Sequence, residues 1–375
     1  VRRIIGTLFF VITLLSAVWL TCCTAASFIS PQRIKYLALF SLTAPYALLA
    51  NVLLVLLLLL FARRKWKVVI PLLALGISYR LIPVVFGLHP FAKQDMIPGA
   101  GKLKVMSWNV HGMGIFDRPA YRSTSDKIMD QIKGEGADIL CLCEFYTVYN
   151  NALKPYTTRL MQECGYKEYR FRYDNTLGTK IYLGVAIFSK YPLSDFHSYA
   201  LHTRGDKQVD VLLNQCDVSL PNGQTLRLFA THLQSFLLSD HEKVYLEEVS
   251  RRDSGIEADR SRSFIRRFGE AYVKRSVQAD SLAMIVAQSP YPAILCGDFN
   301  DLPGSYTYER VRGRLHDPFT ERGFGLGHTY NMLSRTLRID YIFYDASAFH
   351  LIGFKSPVTK LSDHNPIIAN FELGK

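Results

Sequence analysis

Apolar residues are distributed in two different ways along this chain, and the change comes near residue 90. Before it, Leu, Val, Ile and Phe run on with almost no acid among them. After it, short apolar runs alternate with charged and turn residues, as in a globular domain. The first part holds three candidate transmembrane segments, over 4–26, 36–62 and 68–88. Residues 4–21 carry no charge, and 36–62 are uncharged with a nearly all-Leu run from Val55 to Phe61. Both reach the length of about 20 residues that a hydrocarbon core requires. The third segment has Arg80 near its middle. A central arginine costs about 2.5–3.5 kcal/mol on insertion scales, so this segment is either a span whose Arg80 finds a partner or snorkels, or a re-entrant one. Residues 1–88 are thus read as two to three transmembrane helices.

A secretory signal is the rival reading of residues 1–26, because Arg2-Arg3, an apolar run and Thr24-Ala25-Ala26 occur in that order. The run is long for a signal and a second long span follows, which favours a retained helix. Basic residues set the orientation: Arg2 and Arg3 before the first span, Arg33 and Lys35 after it, and Arg63, Arg64, Lys65 and Lys67 before the third. With three spans and the first basic pair inside, the heavier clusters fall on the cytoplasmic side. The expectation is a multi-pass protein of the cell (inner) membrane with its large domain on the extracytoplasmic side. If 68–88 does not cross, the domain is cytoplasmic, which suits a chain whose cysteines look unpaired.

Residues 89–102 read as a linker, punctuated by Pro and Gly. Residues 103–375 are long enough to bury a substantial core. Within them 103–108 read as a strand running into Asn109-Val110-His111-Gly112, and 125–133 as a helix with Ile128, Met129 and Ile132 on one face. Strands follow at 138–143, ending at Glu144, and at 185–189. Residues 209–219 and 225–231 form a hairpin around Pro221-Asn222-Gly223, the second strand ending at His232. A long helical region covers about 241–288, then strands at 293–296, ending at Asp298, at 339–344 and at 367–371. Strands predominate, helices interleave, and polar residues recur at strand ends: packed sheets flanked by helices.

The net charge of +12 adds a stretch over 251–275, with Arg251, Arg252, Arg260, Arg262, Arg266, Arg267, Lys274 and Arg275. Such a run could meet nucleic-acid or lipid phosphates; the acids interleaved with it make a solvated helix face the simpler reading. The seven cysteines include no CxxC pair and no Cys/His spacing for zinc. Cys141 and Cys143 share a strand face roughly 6.6–6.8 Å apart, which suits a disulfide poorly, and the cysteines read as small buried hydrophobes.

Two short segments carry the chemistry: Cys-Gly-Asp-Phe-Asn-Asp at 296–301 and Ser-Asp-His-Asn-Pro at 362–366. Each sets compact polar groups directly beside an apolar run, as a hard metal ion and a phosphate ester would need. They belong to an ordered set with Ser-Trp-Asn-Val (107–110), Cys-Glu (143–144), Gly-Val-Ala-Ile-Phe-Ser-Lys-Tyr-Pro-Leu (184–193), Ala-Thr-His-Leu (230–233) and Arg-Ile-Asp-Tyr-Ile (338–342). Any one of these is weak alone. Together, in this order, they resemble the endonuclease/exonuclease/phosphatase superfamily over essentially all of 103–375. The resemblance implies the DNase I-like fold: a four-layer α/β sandwich of two packed β-sheets flanked by helices, with the active site at one edge.

Taken alone, Glu144 is a strand-end carboxylate that suits Mg²⁺ or a plain surface acid, and Asn109 is a turn former. The resemblance makes Glu144 the principal Mg²⁺ ligand, with Mn²⁺ a possible substitute. It has Asn109 hold metal or phosphate and places Asp363 near the metal or a second one. Asp298 and Asn300 stand two apart and, in extended geometry, point the same way; the resemblance gives them activation of the nucleophile and contact with the phosphoryl group. It pairs Asp340 with His364, an arrangement suited to acid–base work near neutral pH. His232 adds a second imidazole, able to bind phosphate or protonate the leaving oxygen, and resembles the DNase I and sphingomyelinase branches more than the abasic-site endonucleases.

The expected activity is Mg²⁺-dependent, membrane-anchored hydrolysis of phosphodiester bonds, nuclease-like. A phospholipid or inositol-phosphate hydrolase is the alternative, and a non-catalytic binding module of the same fold a lesser one. The partners are a phosphoester substrate, nucleic acid or lipid headgroup, and the bilayer; no obligate protein partner is inferred. Tyr306, Tyr308 and Tyr330 are candidates for stacking on bases. The sequence has no Walker loop, no GxSxG elbow and no zinc signature to support another reaction.

Overall fold

The uncharged N-terminal runs form helices, because nothing in a long Leu-rich segment competes with the backbone ladder. A computed structural model describes residues 2–62, 64–116, 121–148, 155–177, 181–201, 211–235, 258–332 and 336–374. Helix α1 is Arg2–Phe28; a 3-10 segment Lys35–Thr43 leads into α2, Ala44–Phe61. By length and composition, Gly6–Phe28 and Lys35–Phe61 are candidate membrane spans among the described residues. Small residues let them meet closely: Ala17, Leu20 and Cys23 pack on Ala44, Ala47 and Leu48. Buried Asn51 adds polar glue, its Nδ2 donating to Ser16 O at 3.0 Å and to Ala47 O at 2.9 Å.

The expected third span over 68–88 is not one helix. It breaks into α3, Val69–Ile77, and α4, Leu81–Val85, then a short strand β1, Gly87–Leu88, which pairs with β10, Phe324–Gly325. Pro83 is the physical reason: its ring lacks an N–H and clashes with the carbonyl four residues back, at Tyr79. Arg80 sits exposed at the break with its Nε donating to the Tyr79 hydroxyl at 2.8 Å. Neither piece has the length of a span.

Residues 89–102 are not a free tether either. Asp95 donates its N–H to Ile352 O at 3.0 Å, Asn370 Nδ2 donates to Asp95 O at 2.8 Å, and Gln94 Oε1 accepts from Phe354 N at 2.7 Å. The segment lies along the edge of the sheet behind it.

That sheet has six strands: β2 (Lys102–Asn109), β3 (Ile139–Val148), β4 (Glu168–Leu177), β5 (Ile181–Ser189), β12 (Phe349–Lys355) and β13 (Ile367–Leu373), in the order β12-β13-β2-β3-β5-β4. The other has five, β6 (Leu193–Leu201), β7 (Val211–Ser219), β8 (Thr225–His232), β9 (Ala293–Asp298) and β11 (Asp340–Tyr344), in the order β11-β9-β8-β7-β6. β2–β3 and β8–β9 are parallel, and their other neighbours antiparallel. The inner faces meet in one core that includes Val105, Cys141, Cys143, Ile187, Cys216, Ala230, Ile294, Cys296 and Ala369. Cys141 and Cys143 do share that face, with Leu142 on the other side, and all seven cysteines are free. Helices α5 (Tyr121–Glu135) and α6 (Pro155–Glu163) cover the first sheet through Ile128, Met129, Ile132 and Leu160. Helices α7 (Ala258–Ala287) and α8 (Tyr306–Arg312) cover the second through Ala279, Leu282, Tyr308 and Val311. The result is the expected four layers.

In the two large sheets three strands escaped the sequence pattern: β4, β6 and β12. All three are edges. Edge strands carry charge and polarity against unwanted pairing, so Glu168-Tyr-Arg-Phe-Arg and Leu193-Ser-Asp-Phe-His show little apolar run to find. Of the expected helical region 241–288, residues 241–257 lie outside the described residues, as do Arg251 and Arg252.

Candidate active site

The chemistry gathers where strands of both sheets end side by side. From the first sheet come Asn109, the last residue of β2, and Glu144 of β3; from the second come His232 and Asp298, which close β8 and β9, and Asp340, which opens β11. Asp298 faces Asp340 across the β9–β11 pair and His232 across the β8–β9 pair. Gly297 permits that close approach: a Cβ there would stand 1.8 Å from Thr231 O.

Glu144 does not end its strand, as the sequence suggested. The β3–β5 pairing shifts between Leu142 and Phe145, and Glu144 sits in that bulge at φ 50°. A bulge re-aims a side chain, here out of the ladder and into the cleft. His111 (φ 43°) and Asn300 (φ 50°) also hold left-handed backbone. Such conformations cost on the order of 1–3 kcal/mol each and cluster at functional sites. Asn300 therefore does not continue the extended geometry of Asp298. Its backbone N–H turns back to Asp298 Oδ1 at 2.8 Å and its Nδ2 donates to Leu233 O at 2.9 Å.

Asn109 ties the two carboxylates together. Its Nδ2 donates to Glu144 Oε1 at 3.0 Å and Asp298 Oδ2 at 3.1 Å, while its Oδ1 accepts the His111 N–H at 3.1 Å. Asp298 Oδ2 lies 3.7 Å from His232 Nε2 and 3.6 Å from His364 Nε2, so it stands between two imidazoles. His364 Nδ1 meets Asp340 Oδ2 at 2.8 Å. Thr329 holds that carboxylate in turn, its Oγ1 accepting the Ile339 and Asp340 N–H groups at 2.9 and 3.1 Å and its hydroxyl bonding the Asp340 side chain. Trp108 Nε1 donates to His364 O at 2.9 Å. Asp363 lies at the mouth, 3.6 Å from His111 Nδ1, which is also 3.5 Å from Glu144 Oε2.

The charges follow from these neighbours. Burial alone would raise the Glu144 carboxyl, but the His111 hydrogen bond, the His232 charge and Asn109 together hold it down at about 2. Burial opposes charge on His232, yet Asp298, Glu144 and Asp174 outweigh it and its pKa rises. For His364 burial is again opposed, by Asp340 and Asp298, and the imidazolium is favoured. The cleft thus sets an ionised Glu144 beside imidazoles whose charged form is favoured.

Of the residues picked from sequence, Asn109, Glu144, His232, Asp298, Asp340, Asp363 and His364 meet in this cleft; Asn300 joins them through the backbone of Leu233. Three more were missed. His111 was in plain view two residues after Asn109. Asp174 gave no local signal, because a second shift in pairing, between Tyr173 and Asn175, is what sets it beside His232. Thr329 lies far from any motif. Of the stacking candidates, Tyr330 does reach the site, its ring 4.9 Å from that of His364. Tyr308 is fully buried with its hydroxyl on Asp317, and the hydroxyl of half-buried Tyr306 donates to Asp280 on α7.

The donor set suits a divalent cation with oxygen preference: the carboxylates of Glu144, Asp298, Asp340 and Asp363 converge among imidazoles. The tightest cluster, Asp298, Asp340 and His364, has ligand atoms within 4.8 Å of one another. All three are buried, however, and His364 Nδ1 is taken by Asp340. Mg²⁺ keeps several waters, so the partly exposed Glu144 and Asp363, 3.5 and 3.6 Å from the same His111 nitrogen, fit it better.

A family model for the Endonuclease/Exonuclease/phosphatase family matches residues 106–364.

The chain belongs to that family.

Its members hydrolyse phosphoesters and generally use divalent metals. A second model, for a domain of unknown function, matches residues 6–85. No curated protein matches the sequence. Among solved structures, the human Nocturnin catalytic domain with bound sulfate is 18% identical, with TM-score 0.52 over 73% of this chain and 94% of that one. A Beutenbergia cavernae endonuclease/exonuclease/phosphatase is 18% identical, with TM-score 0.51 over 73% of this chain and 72% of that one. A Bacteroides thetaiotaomicron family protein is 15% identical, with TM-score 0.51 over 73% and 98%. At these identities the likeness is one of fold.

Proposed function

We propose that the protein is a divalent-metal-dependent phosphodiesterase, nuclease-like in its chemistry, anchored to a membrane by α1 and α2. One observation carries the reading: Asp298 Oδ2 stands within 3.7 Å of two imidazole nitrogens, His232 Nε2 and His364 Nε2, inside an acid-lined cleft. Asp298 accepts the proton of an attacking water. His364, oriented by Asp340, presents an imidazolium to the phosphoryl oxygens, and His232 gives its proton to the leaving oxygen. A cation held by Glu144 and Asp363, Mg²⁺ or Mn²⁺, would supply Lewis-acid neutralisation of the phosphoryl charge.

A lipid or inositol phosphoester is the second reading, favoured by where the apolar unit docks. Ser27 Oγ of α1 donates to Gly304 O, a few residues beyond Asp298, and Arg338 Nη2, two residues before Asp340, donates to Val84 O at 2.8 Å. The candidate spans therefore abut the same end of the second sheet as the cleft. The test is the full chain in detergent, with Mg²⁺ or Mn²⁺, against duplex DNA, RNA, sphingomyelin, phosphoinositides and bis-p-nitrophenyl phosphate. Hydrolysis lost in Glu144→Gln and His364→Ala supports the reading; rates unchanged in both variants, or no hydrolysis of any substrate, defeat it.

With 68–88 broken, two crossings replace three and the domain falls on the side of Arg64, Lys65 and Lys67, which the positive-inside rule makes cytoplasmic. The free thiols suit a reducing compartment. A C-terminal reporter active only in the periplasm would overturn this placement.

A further inference from the structure

The sequence pattern assigned Arg275 to a basic helix face. It is instead fully buried, inside α7, and its contacts lead to the cleft. Its Nη1 donates to Gln234 O at 3.1 Å and its Nε approaches Asp301 Oδ2 at 3.4 Å. Gln234 is two residues past His232, and Asp301 directly follows Asn300. One turn along the helix, buried Gln278 accepts the Gln234 N–H through its Oε1 at 3.1 Å.

We infer that Arg275 is a positioning residue that fixes the two loops carrying His232 and Asn300. The loops are already laced to each other: Leu233 donates to Asp298 O and accepts from Asn300 Nδ2, both at 2.9 Å. Helix α7 adds a fixed point shared by both loops. Gln278 and Arg275 hold the N–H and the carbonyl of Gln234, and Arg275 also holds the carboxylate of Asp301. Asp301 is pinned further by its own Oδ1 to Leu302 N–H and by the Tyr341 hydroxyl on its carbonyl, each at 2.9 Å. The guanidinium rests 4.8 Å over the Tyr272 ring, which fixes its plane.

A buried ion pair is a poor source of stability, since an apolar replacement of both partners is often neutral or better. A planar fork that reaches two separate loops does what an apolar pair cannot. Arg275 touches no reacting atom; it acts through His232 and Asn300.

This inference rests on the phosphoesterase reading, and the test separates the two. Turnover of bis-p-nitrophenyl phosphate and hydrogen exchange by mass spectrometry are measured on the full chain in detergent. In Arg275→Met, kcat falls by about 10- to 100-fold, the scale of a small misplacement, with KM within about twofold, and exchange quickens in 232–235 and 298–304. Arg275→Lys recovers part of the loss, because one ammonium reaches one loop but not both. Gln278→Met, which unpairs no charge, shifts both readouts the same way by less. The double variant Arg275→Met/Asp301→Leu recovers thermal stability without recovering kcat. If kcat returns together with stability in that double variant, Arg275 is merely structural and the inference fails. If the wild type hydrolyses no phosphoester, the functional reading falls, yet unchanged exchange in both loops of Arg275→Met would still overturn the clamp.

Discussion

Replacing Asp340 with Asn keeps the shape of the site and removes one charge. In the native protein Asp340 Oδ2 faces His364 Nδ1 at 2.8 Å, and the other side of the carboxylate is engaged by Thr329. An amide has one oxygen to satisfy two donors. If its oxygen faces His364, its NH₂ meets a Thr329 Oγ1 that already accepts two backbone N–H groups. If its oxygen faces Thr329, its NH₂ confronts Nδ1, and the proton must leave that nitrogen for Nε2. Either way the imidazolium beside Asp298 loses its charged partner. A hydrogen bond to a charged group is worth about 1.5–3 kcal/mol, so kcat should fall by about 10- to 150-fold, at 1.4 kcal/mol for each factor of ten. KM for bis-p-nitrophenyl phosphate at saturating Mn²⁺ should stay within about twofold, because the loss lies in stabilising the transition state. The fold should tolerate the change, since Asn fills the same volume. Steady-state kinetics with a thermal melt alongside decides it. An unchanged kcat, or a rise in KM that accounts for the whole loss of kcat/KM, would refute the orienting role given to Asp340.

Glu144→Gln should abolish Mn²⁺ binding at micromolar metal, read by electron paramagnetic resonance, and chelation of the wild type should stop turnover reversibly. Stability of the metal-free protein should be bounded on both sides of neutrality. Glu144 is lowered to about 2, so its contribution is present above the ordinary carboxylate range and lost as pH falls towards 2. His364 is raised, so its contribution is complete below the ordinary histidine range and fades as pH climbs above it; melting curves of His364→Ala should lose the alkaline decline and keep the acid one. Gly304→Val should lower stability by roughly 1–3 kcal/mol, because Gly304 holds φ +74° and a Cβ there would lie 2.1 Å from Leu81 Cδ1; an unchanged melt would show that the N-terminal unit does not seat on this loop. Arg338→Met should cost about 3–5 kcal/mol, since it strips buried Asp317 of the guanidinium 2.7 Å away, and the thermal shift should shrink when Asp317→Leu is added.

The central strands were legible because both their faces are buried and the apolar runs are unbroken. The edges β4, β6 and β12 were not, since exposed edges are written in the polar residues that also make loops. Half the cleft could be read from strand ends, where Asp298 and His232 follow apolar runs directly. Glu144 looked like one more strand end and proved to be a bulge, an irregularity that only the pairing with β5 creates. Arg275 shows the opposite error: eight bases in one stretch look like a solvated face, and which of them turns inward depends on what the helix packs against.

By itself, the sequence determined the local matters: which runs become strands, where apolar helices precede the domain, and which carboxylates and imidazoles stand where a strand ends. Those follow from period, length and turn chemistry over a few residues. The tertiary structure decided the rest. Asp298 meets His364, Glu144 meets Asn109, and Arg275 reaches both loops of the cleft only because two twisted sheets stack with their strand ends aligned. It also decided that 68–88 breaks into short helices, with Val84 accepting from Arg338, where the sequence pattern ran on as one apolar segment. Such meetings join residues 26 to 254 positions apart, and no local period encodes the angle at which two sheets pack.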